Sequence, residues 1–156
     1  MSARPPSLSA LAALLRQALA AEGRFRWRLH GRSMTPTLPP ACEIEVIPLP
    51  AQTPLGALVV FVAGERLIAH RLVQRAGERW VTQGDGALAA DAPLAPAQLL
   101  GIVAAAYRDG QRCWPGRAER GLAWAWIVRY HALRPLRQAW RVVRRWVGRV
   151  GAGLPV

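Results

Sequence analysis

The sequence predicts a mainly β chain of the α+β class, with helices only near its two ends. Short stretches of alternating apolar and polar residues are separated by turn residues. The 14 Gly and 13 Pro residues favour short elements joined by turns over long helices. We therefore divide the chain into an amphipathic helix in residues 1–23, a compact β domain in residues 24–111 and a basic helical tail in residues 112–156.

The amino-terminal segment carries apolar residues at helical spacing. They are Leu8, Leu11, Leu14, Leu15, Ala18 and Leu19. This spacing predicts an amphipathic helix that ends near Gly23. Packing of its apolar face on the β domain is the preferred interpretation, and contact with a membrane or a partner is the alternative.

The β domain begins where the periodicity changes from helical to alternating. Phe25, Trp27 and Leu29 alternate with arginines, which predicts a half-buried strand. Prolines in 36–40 exclude regular structure before the next strand. Further strands are predicted at residues 43–47, 56–63, 66–74, 79–83 and 101–107, and the turn signal Asp109-Gly110 ends the last of these six strands.

The tail combines arginine and tryptophan. Residues 112–149 hold ten Arg and one acidic residue, Glu119, in a chain of net charge +12. Residues 122–133 place Leu122, Trp126, Tyr130 and Leu133 on one helical face, and a second helix is predicted after Pro135. Arg and Trp on one helix favour an anionic membrane surface, rather than nucleic acid, as the partner of residues 122–149. Packing of the tail on the β domain is the alternative.

The sequence shows neither a predicted membrane-spanning segment nor a cluster of metal-binding residues. Leu8–Ala21 is interrupted by Arg16 and Gln17 and is shorter than the roughly 20 apolar residues that span a bilayer. We therefore expect a cytoplasmic protein, or one peripheral at the membrane. Cys42 and Cys113 form neither a disulfide framework nor a metal-ligand cluster, so no cofactor is expected.

Ser33 stands in a motif with chemical meaning, Ser33-Met34-Thr35-Pro36-Thr37-Leu38. The serine lies between a predicted strand and a Pro-rich turn, and a serine hydroxyl needs a base to become a nucleophile. This motif resembles the nucleophile motif of type I signal peptidases and of the self-cleaving repressors related to them. Most bacterial members use a lysine base, but this chain contains no lysine.

His70 is the candidate base among three histidines. The segment Ile68–Val73 resembles the base motif of the endoplasmic-reticulum and archaeal type of signal peptidase, in which histidine replaces lysine and is followed by Arg. A neutral imidazole suits general-base chemistry near neutral pH. His30 precedes the serine on the first strand, and His131 belongs to the tail.

The loop after residue 83 carries two candidate acidic residues, Asp85 and Asp91. Gly84-Asp85-Gly86 followed by Asp91 resembles the acidic motif of the same family, with Gly86 in place of its Asn. The resemblance implies that Asp91 orients His70 and that Asp85 is a supporting carboxylate. It covers approximately residues 25–110 and includes Leu55–Phe61 and Leu100–Val103.

The resemblance implies a serine endopeptidase that needs no cofactor and acts on an extended polypeptide. Ser33, His70, Asp91 and Asp85 would form the catalytic group, and Arg32, Met34 and Pro36 the substrate and oxyanion region. One alternative is self-cleavage or processing of a dedicated partner. Another is a catalytically silent peptide-binding or scaffold subunit whose basic tail docks on lipid or nucleic acid.

Overall fold

A computed structural model describes residues 8–63, 66–116, 119–133 and 135. Its elements confirm the α+β class, with a sheet between an amino-terminal and a carboxy-terminal helix. They are α1 (Leu8–Glu22), β1 (Phe25–Arg28), β2 (Glu43–Ile47), β3 (Leu58–Ala63), β4 (Arg66–Ala76), β5 (Arg79–Gln83), β6 (Leu99–Arg108), β7 (Gln111–Trp114) and α2 (Glu119–Ala132), with a short 3-10 turn at Pro96–Gln98.

The strands form one antiparallel sheet in the order β1-β2-β6-β3-β4-β5, and β7 pairs with β6. Strand β6 is central because it pairs with β2, β3 and β7. The backbone of Gly101 in β6 lies against Ile47 of β2, and a Cβ at this glycine would also come within 2.9 Å of Val46 Cγ1. A side chain there would therefore force the two strands apart.

Two clusters of buried side chains stabilise the sheet. One joins α1 to the sheet through Ala12, Leu15, Ile44, Val60 and Val103, among others. The second comprises Val59, Phe61, Leu72, Trp80, Leu94 and Leu99. The continuous apolar run Leu58–Phe61 is buried throughout, as expected of a strand covered on both faces.

The six predicted strands are present, but a seventh, β7, was not predicted. Asp109-Gly110 is the turn of a hairpin that joins β6 to β7, and the chain does not leave the sheet there. Gln111, Arg112 and Cys113 are exposed, so this edge strand lacks the apolar alternation that would reveal it. Residues 64–65, between the predicted strands 56–63 and 66–74, lie outside the described residues.

Both described helices pack on the sheet, but the residues buried in α1 differ in part from those predicted. In α1, Leu15 and Leu19 are buried, but Leu14 is 55% exposed and Ala12 is buried instead. The predicted apolar face of α1 is therefore wrong at Leu14. Leu14 and Leu15 are adjacent and so lie about 100° apart around the helix axis, and the face that buries Ala12, Leu15 and Leu19 leaves Leu14 exposed.

Helix α2 packs on β4 through a face that includes Ile127 and Tyr130, both buried. The Tyr130 hydroxyl donates a hydrogen bond to Gln74 Oε1 at 3.0 Å. A Cβ on Gly56 would lie 3.0 Å from the Cβ of Ala123, so helix and loop are in close contact. Leu122, at the amino-terminal end of the predicted face, is 47% exposed. The second tail helix, predicted after Pro135, lies outside the described residues, and no helix within them is long and apolar enough to cross a bilayer.

Candidate active site

Ser33 lies at the surface in the turn that follows β1. Two hydrogen bonds hold this turn: the N–H of Thr35 donates to Arg32 O at 3.0 Å, and the N–H of Leu38 donates to Met34 O at 2.9 Å. Met34 and Leu38 are buried in the core next to α1, whereas Ser33 is exposed. The apolar residues of the motif thus anchor the turn and leave the hydroxyl accessible.

His70 is brought to Ser33 from β4, 37 residues further along the chain. Its Nε2 lies 3.0 Å from Ser33 Oγ, within hydrogen-bond distance. The ring is buried and contacts the ring of Phe61 in an edge-to-face arrangement. A base at this distance, in a fixed orientation, meets the geometric requirement for activating a serine.

Asp91 lies on the other side of the imidazole. His70 Nδ1 is 2.6 Å from Asp91 Oδ2, and the Thr82 hydroxyl donates to the same oxygen at 2.7 Å. The N–H of Asp91 also donates to Thr82 O at 2.9 Å, which fixes the loop beside β5. With Nδ1 protonated and donating to Asp91, Nε2 is free to accept the Ser33 proton.

Asp85 contacts neither Ser33 nor His70 through its side chain. Its carboxylate pairs with the guanidinium of Arg71, with Arg71 Nε 2.9 Å from Oδ1 and Arg71 Nη2 2.7 Å from Oδ2. Thr37, in the nucleophile motif, donates a further hydrogen bond to Asp85. The structure thus separates the two aspartates: Asp91 contacts His70, and Asp85 joins the turn that carries Ser33 to β4 through Thr37 and Arg71.

Arg71 is fully buried and carries the charge that balances Asp85. Burial alone would lower the pKa of its guanidinium, but the hydrogen bonds and negative charges of Asp85 and then Glu119 outweigh this effect and raise the pKa above its ordinary value. The cation also donates to Gly56 O at 2.8 Å. A permanently charged group with this many partners is a rigid support.

Positions 84 and 86, in the loop after β5, require glycine because their backbone lies close to the turn that carries Ser33. A Cβ on Gly84 would lie 2.5 Å from Ser33 O and 3.0 Å from His70 Nε2. A Cβ on Gly86 would lie 2.7 Å from Thr35 O, and the N–H of Gly86 donates to Ser33 O at 2.8 Å. The Asn that the resemblance expects at position 86 would therefore need a different backbone path in this chain.

A cleft of about 300 Å³ opens beside the hydroxyl. Its walls are formed by residues 29–34, Leu38 and Pro39 on one side and residues 66–70 on the other. Strand β4 pairs with β3 from Arg66 to Arg71, but β5 joins it only from Arg71 onward. Within the described ranges, the second edge of Arg66–His70 is consequently unpaired and faces the cleft.

The predicted substrate and oxyanion residues do not all reach this cleft. Arg32 and Met34 line it. Pro36 instead lines a second cavity of about 250 Å³, together with Trp114, Leu122 and Trp126, on the α2 side. Among the described residues, the N–H of Ser33 has no hydrogen-bond acceptor, so it is available as a donor at the site.

Sequence reasoning missed three residues of this site. Thr82 supports Asp91, Arg71 pairs with Asp85, and Glu119 pairs with Arg71 from α2. Arg71 could have been found from the sequence, since it directly follows His70 in the segment that resembles the base motif. Thr82 and Glu119 could not have been found in this way, because their roles arise only from contacts across the fold.

The chain matches no protein-family model, and no curated protein matches it significantly. Within the described residues, no three His, Cys, Asp or Glu side chains are grouped as metal ligands.

Proposed function

We propose that the protein is a serine endopeptidase, related to the signal peptidases of the endoplasmic-reticulum and archaeal type. The observation that carries the proposal is the unbroken hydrogen-bond chain from Ser33 Oγ through His70 to Asp91, with links of 3.0 and 2.6 Å. Three residues far apart in the sequence meet in the order that acyl transfer requires.

In the proposed reaction, Ser33 Oγ attacks the carbonyl carbon of a peptide bond while His70 Nε2 takes its proton. The oxyanion that forms is stabilised by the backbone N–H of Ser33. Collapse of this intermediate breaks the C–N bond, and the imidazolium donates its proton to the leaving amine. A water molecule, deprotonated by His70, then attacks the acyl-serine ester, the C–Oγ bond breaks, and the imidazolium returns its proton to Ser33 Oγ. Asp91 holds the ring and stabilises its cationic form throughout.

The substrate is an extended polypeptide bound along the free edge of β4. Backbone groups of Arg66–His70 offer hydrogen bonds to an added strand, and such pairing delivers a peptide carbonyl next to His70. The open cleft between this edge and residues 29–34 has the room for such a segment. Because main-chain pairing is indifferent to sequence, selectivity falls to the side chains that line the cleft.

The tail is proposed to hold the enzyme on an anionic membrane surface through residues 122–149. In the described part of this segment, Trp124 and Val128 are 65% and 61% exposed and lie one turn apart on α2. An exposed apolar pair in so basic a segment suits the bilayer interface. Trp124→Ala/Val128→Ala is expected to float less with anionic vesicles, and equal flotation of wild type with neutral and anionic lipid would contradict the proposal.

Cleavage of a mixed library of unstructured peptides tests the enzymatic proposal. Wild type is expected to produce new termini, whereas Ser33→Ala is expected to produce none while keeping its fold, because the side chain is exposed. The silent peptide-binding subunit is the competing account. It would leave the library intact with both proteins and still retain peptides on the immobilised chain.

A further inference from the structure

Helix α2 reaches the catalytic region through Glu119, a residue in its first turn. Glu119 Oε1 accepts a hydrogen bond from Arg71 Nη1 at 2.9 Å, and its side chain is largely buried. The other nitrogens of the guanidinium are occupied by Asp85. Arg71 therefore lies between a carboxylate of the acidic loop and a carboxylate of α2.

A second contact joins α2 to the same loop. Arg129 Nη2 donates to Ala87 O at 3.0 Å, and its guanidinium lies 4.6 Å from the ring centre of Trp126. The loop that carries Asp91 is thus connected to α2 at two points, at Asp85 through Arg71 and at Ala87 through Arg129. Both points lie upstream of Asp91, whose own contacts are with β4 and β5.

We propose that α2 is a clamp on the catalytic loop and that Glu119 is a positioning residue for the triad. This inference rests on the proposed peptidase function. Glu119 contacts no residue of the triad and does not line the cleft beside Ser33. It acts through Arg71, which shares strand β4 with His70 and pairs with the loop that leads to Asp91.

The clamp works because the buried guanidinium has few ways to rearrange. Without the Glu119 carboxylate, Arg71 Nη1 keeps only Gly56 O as an acceptor. A buried cation that loses one of two counter-charges is drawn toward solvent or toward the remaining carboxylate. Either movement displaces Asp85 and Thr37, and with them the turn that presents Ser33. A misplacement of about 1 Å at a reacting group lowers a rate by about 100-fold.

A positioning role predicts a specific kinetic pattern. Glu119→Ala is expected to lower the rate of Ser33 acylation, and hence kcat, by roughly tenfold or more. KM is expected to change less than kcat, because Glu119 itself does not line the cleft. Glu119→Gln keeps an acceptor for Arg71 Nη1 and is expected to fall between Glu119→Ala and wild type. A role in folding alone would lower stability without separating kcat from KM.

The experiment compares Glu119→Ala, Glu119→Gln and two controls. Glu78→Ala removes an exposed glutamate in the β4–β5 turn that makes no ion pair among the described residues. Ile44→Val weakens the core in β2, a strand that pairs with β1 and β6, whereas α2 packs on β4. The rate at which a serine-directed fluorophosphonate phosphonylates Ser33, with loss of fluoride, is measured beside thermal unfolding, and the proton shared by His70 Nδ1 and Asp91 is followed by its low-field NMR resonance.

The two proposals fail differently. Slow phosphonylation and a shifted or missing resonance in Glu119→Ala, with both controls reacting like wild type, support the clamp. Phosphonylation at the wild-type rate and an unchanged resonance in Glu119→Ala overturn it and leave the peptidase proposal intact. If wild type itself neither reacts nor cleaves peptides, the peptidase proposal fails, and the resonance alone then decides whether α2 holds the geometry.

Discussion

His70 and Arg71 are adjacent on β4, yet their side chains serve two separate networks. His70 contacts Ser33 and Asp91 at the cleft, while Arg71 is buried between Asp85 and Glu119. Alternation along a strand sends neighbouring side chains to opposite faces, so one dipeptide can serve both. The first network carries the proposed chemistry. The second holds the loop after β5 and the turn that carries Ser33 in place against β4.

Replacement of Asp91 is expected to remove activity and leave the fold intact. In Asp91→Asn the amide can no longer stabilise an imidazolium and can favour the wrong tautomer of His70, so kcat should fall on the order of 1,000-fold or more. Asp91 is partly exposed, so stability should change little. Kinetics and urea unfolding of the same sample check this, and a variant with near wild-type kcat would contradict it.

Replacement of Asp85 is expected to act first on stability. Asp85→Asn removes the bidentate partner of a fully buried arginine and leaves that cation with Glu119 alone. Loss of one partner of a buried ion pair costs roughly 3 kcal/mol. The free energy of unfolding, measured in urea, should fall by about that amount. An Asp85→Asn protein as stable as wild type would show that the pair contributes no net stability.

For Asp91 the sequence predicted both the position and the role, but for Asp85 it predicted the position and not the partner. The motif predicted both positions and gave Asp91 the orienting role that its 2.6 Å contact with His70 supports. The partner of Asp85 could not be predicted, because pairing with Arg71 depends on how the loop crosses β4. Charged residues are normally assigned to the surface, and nothing in the residue type shows that this arginine is fully buried.

The strands of the fold could be predicted where a local residue pattern reflects burial, but not where pairing depends on distant parts of the chain. Alternation predicted β1 and β2, and a continuous apolar run predicted β3, because these patterns record which face is buried. Strand β7 was missed because its exposed residues record no burial. The cleft depends on β5 joining β4 only from Arg71, a pairing limit that no local pattern encodes.

Gly84→Ala is expected to disable the site through a single methyl group. The added Cβ would lie 2.5 Å from Ser33 O and 3.0 Å from His70 Nε2, so the serine turn or the imidazole must move. We expect the acylation rate to fall by roughly 100-fold. Gly121→Ala in α2 is the matched control, since nothing lies within 4 Å of its added Cβ. It should keep full activity and stabilise the helix by about 0.5–1 kcal/mol.

The two cysteines are expected to differ sharply in reactivity. Burial, with a smaller contribution from the charge of Cys113, raises the pKa of Cys42 to about 11, whereas Cys113 is exposed on β7. Because the thiolate is the reactive form, Cys42 stays protonated and unreactive until the pH approaches that value. Iodoacetamide at pH 8 should add one group, at Cys113, by peptide mass mapping. A second adduct on the folded protein would contradict the burial of Cys42.

Covalent capture of the nucleophile tests the central claim most directly. Wild type, Ser33→Ala and His70→Ala are each incubated with a panel of serine-directed probes (a fluorophosphonate, a β-lactam and a β-lactone), and the modified peptide is identified by mass spectrometry. We expect one adduct, on Ser33, in wild type, with none in Ser33→Ala and a greatly slowed reaction in His70→Ala. Unmodified wild type with every probe, or equal modification of wild type and Ser33→Ala, would contradict the assignment of Ser33 as a nucleophile.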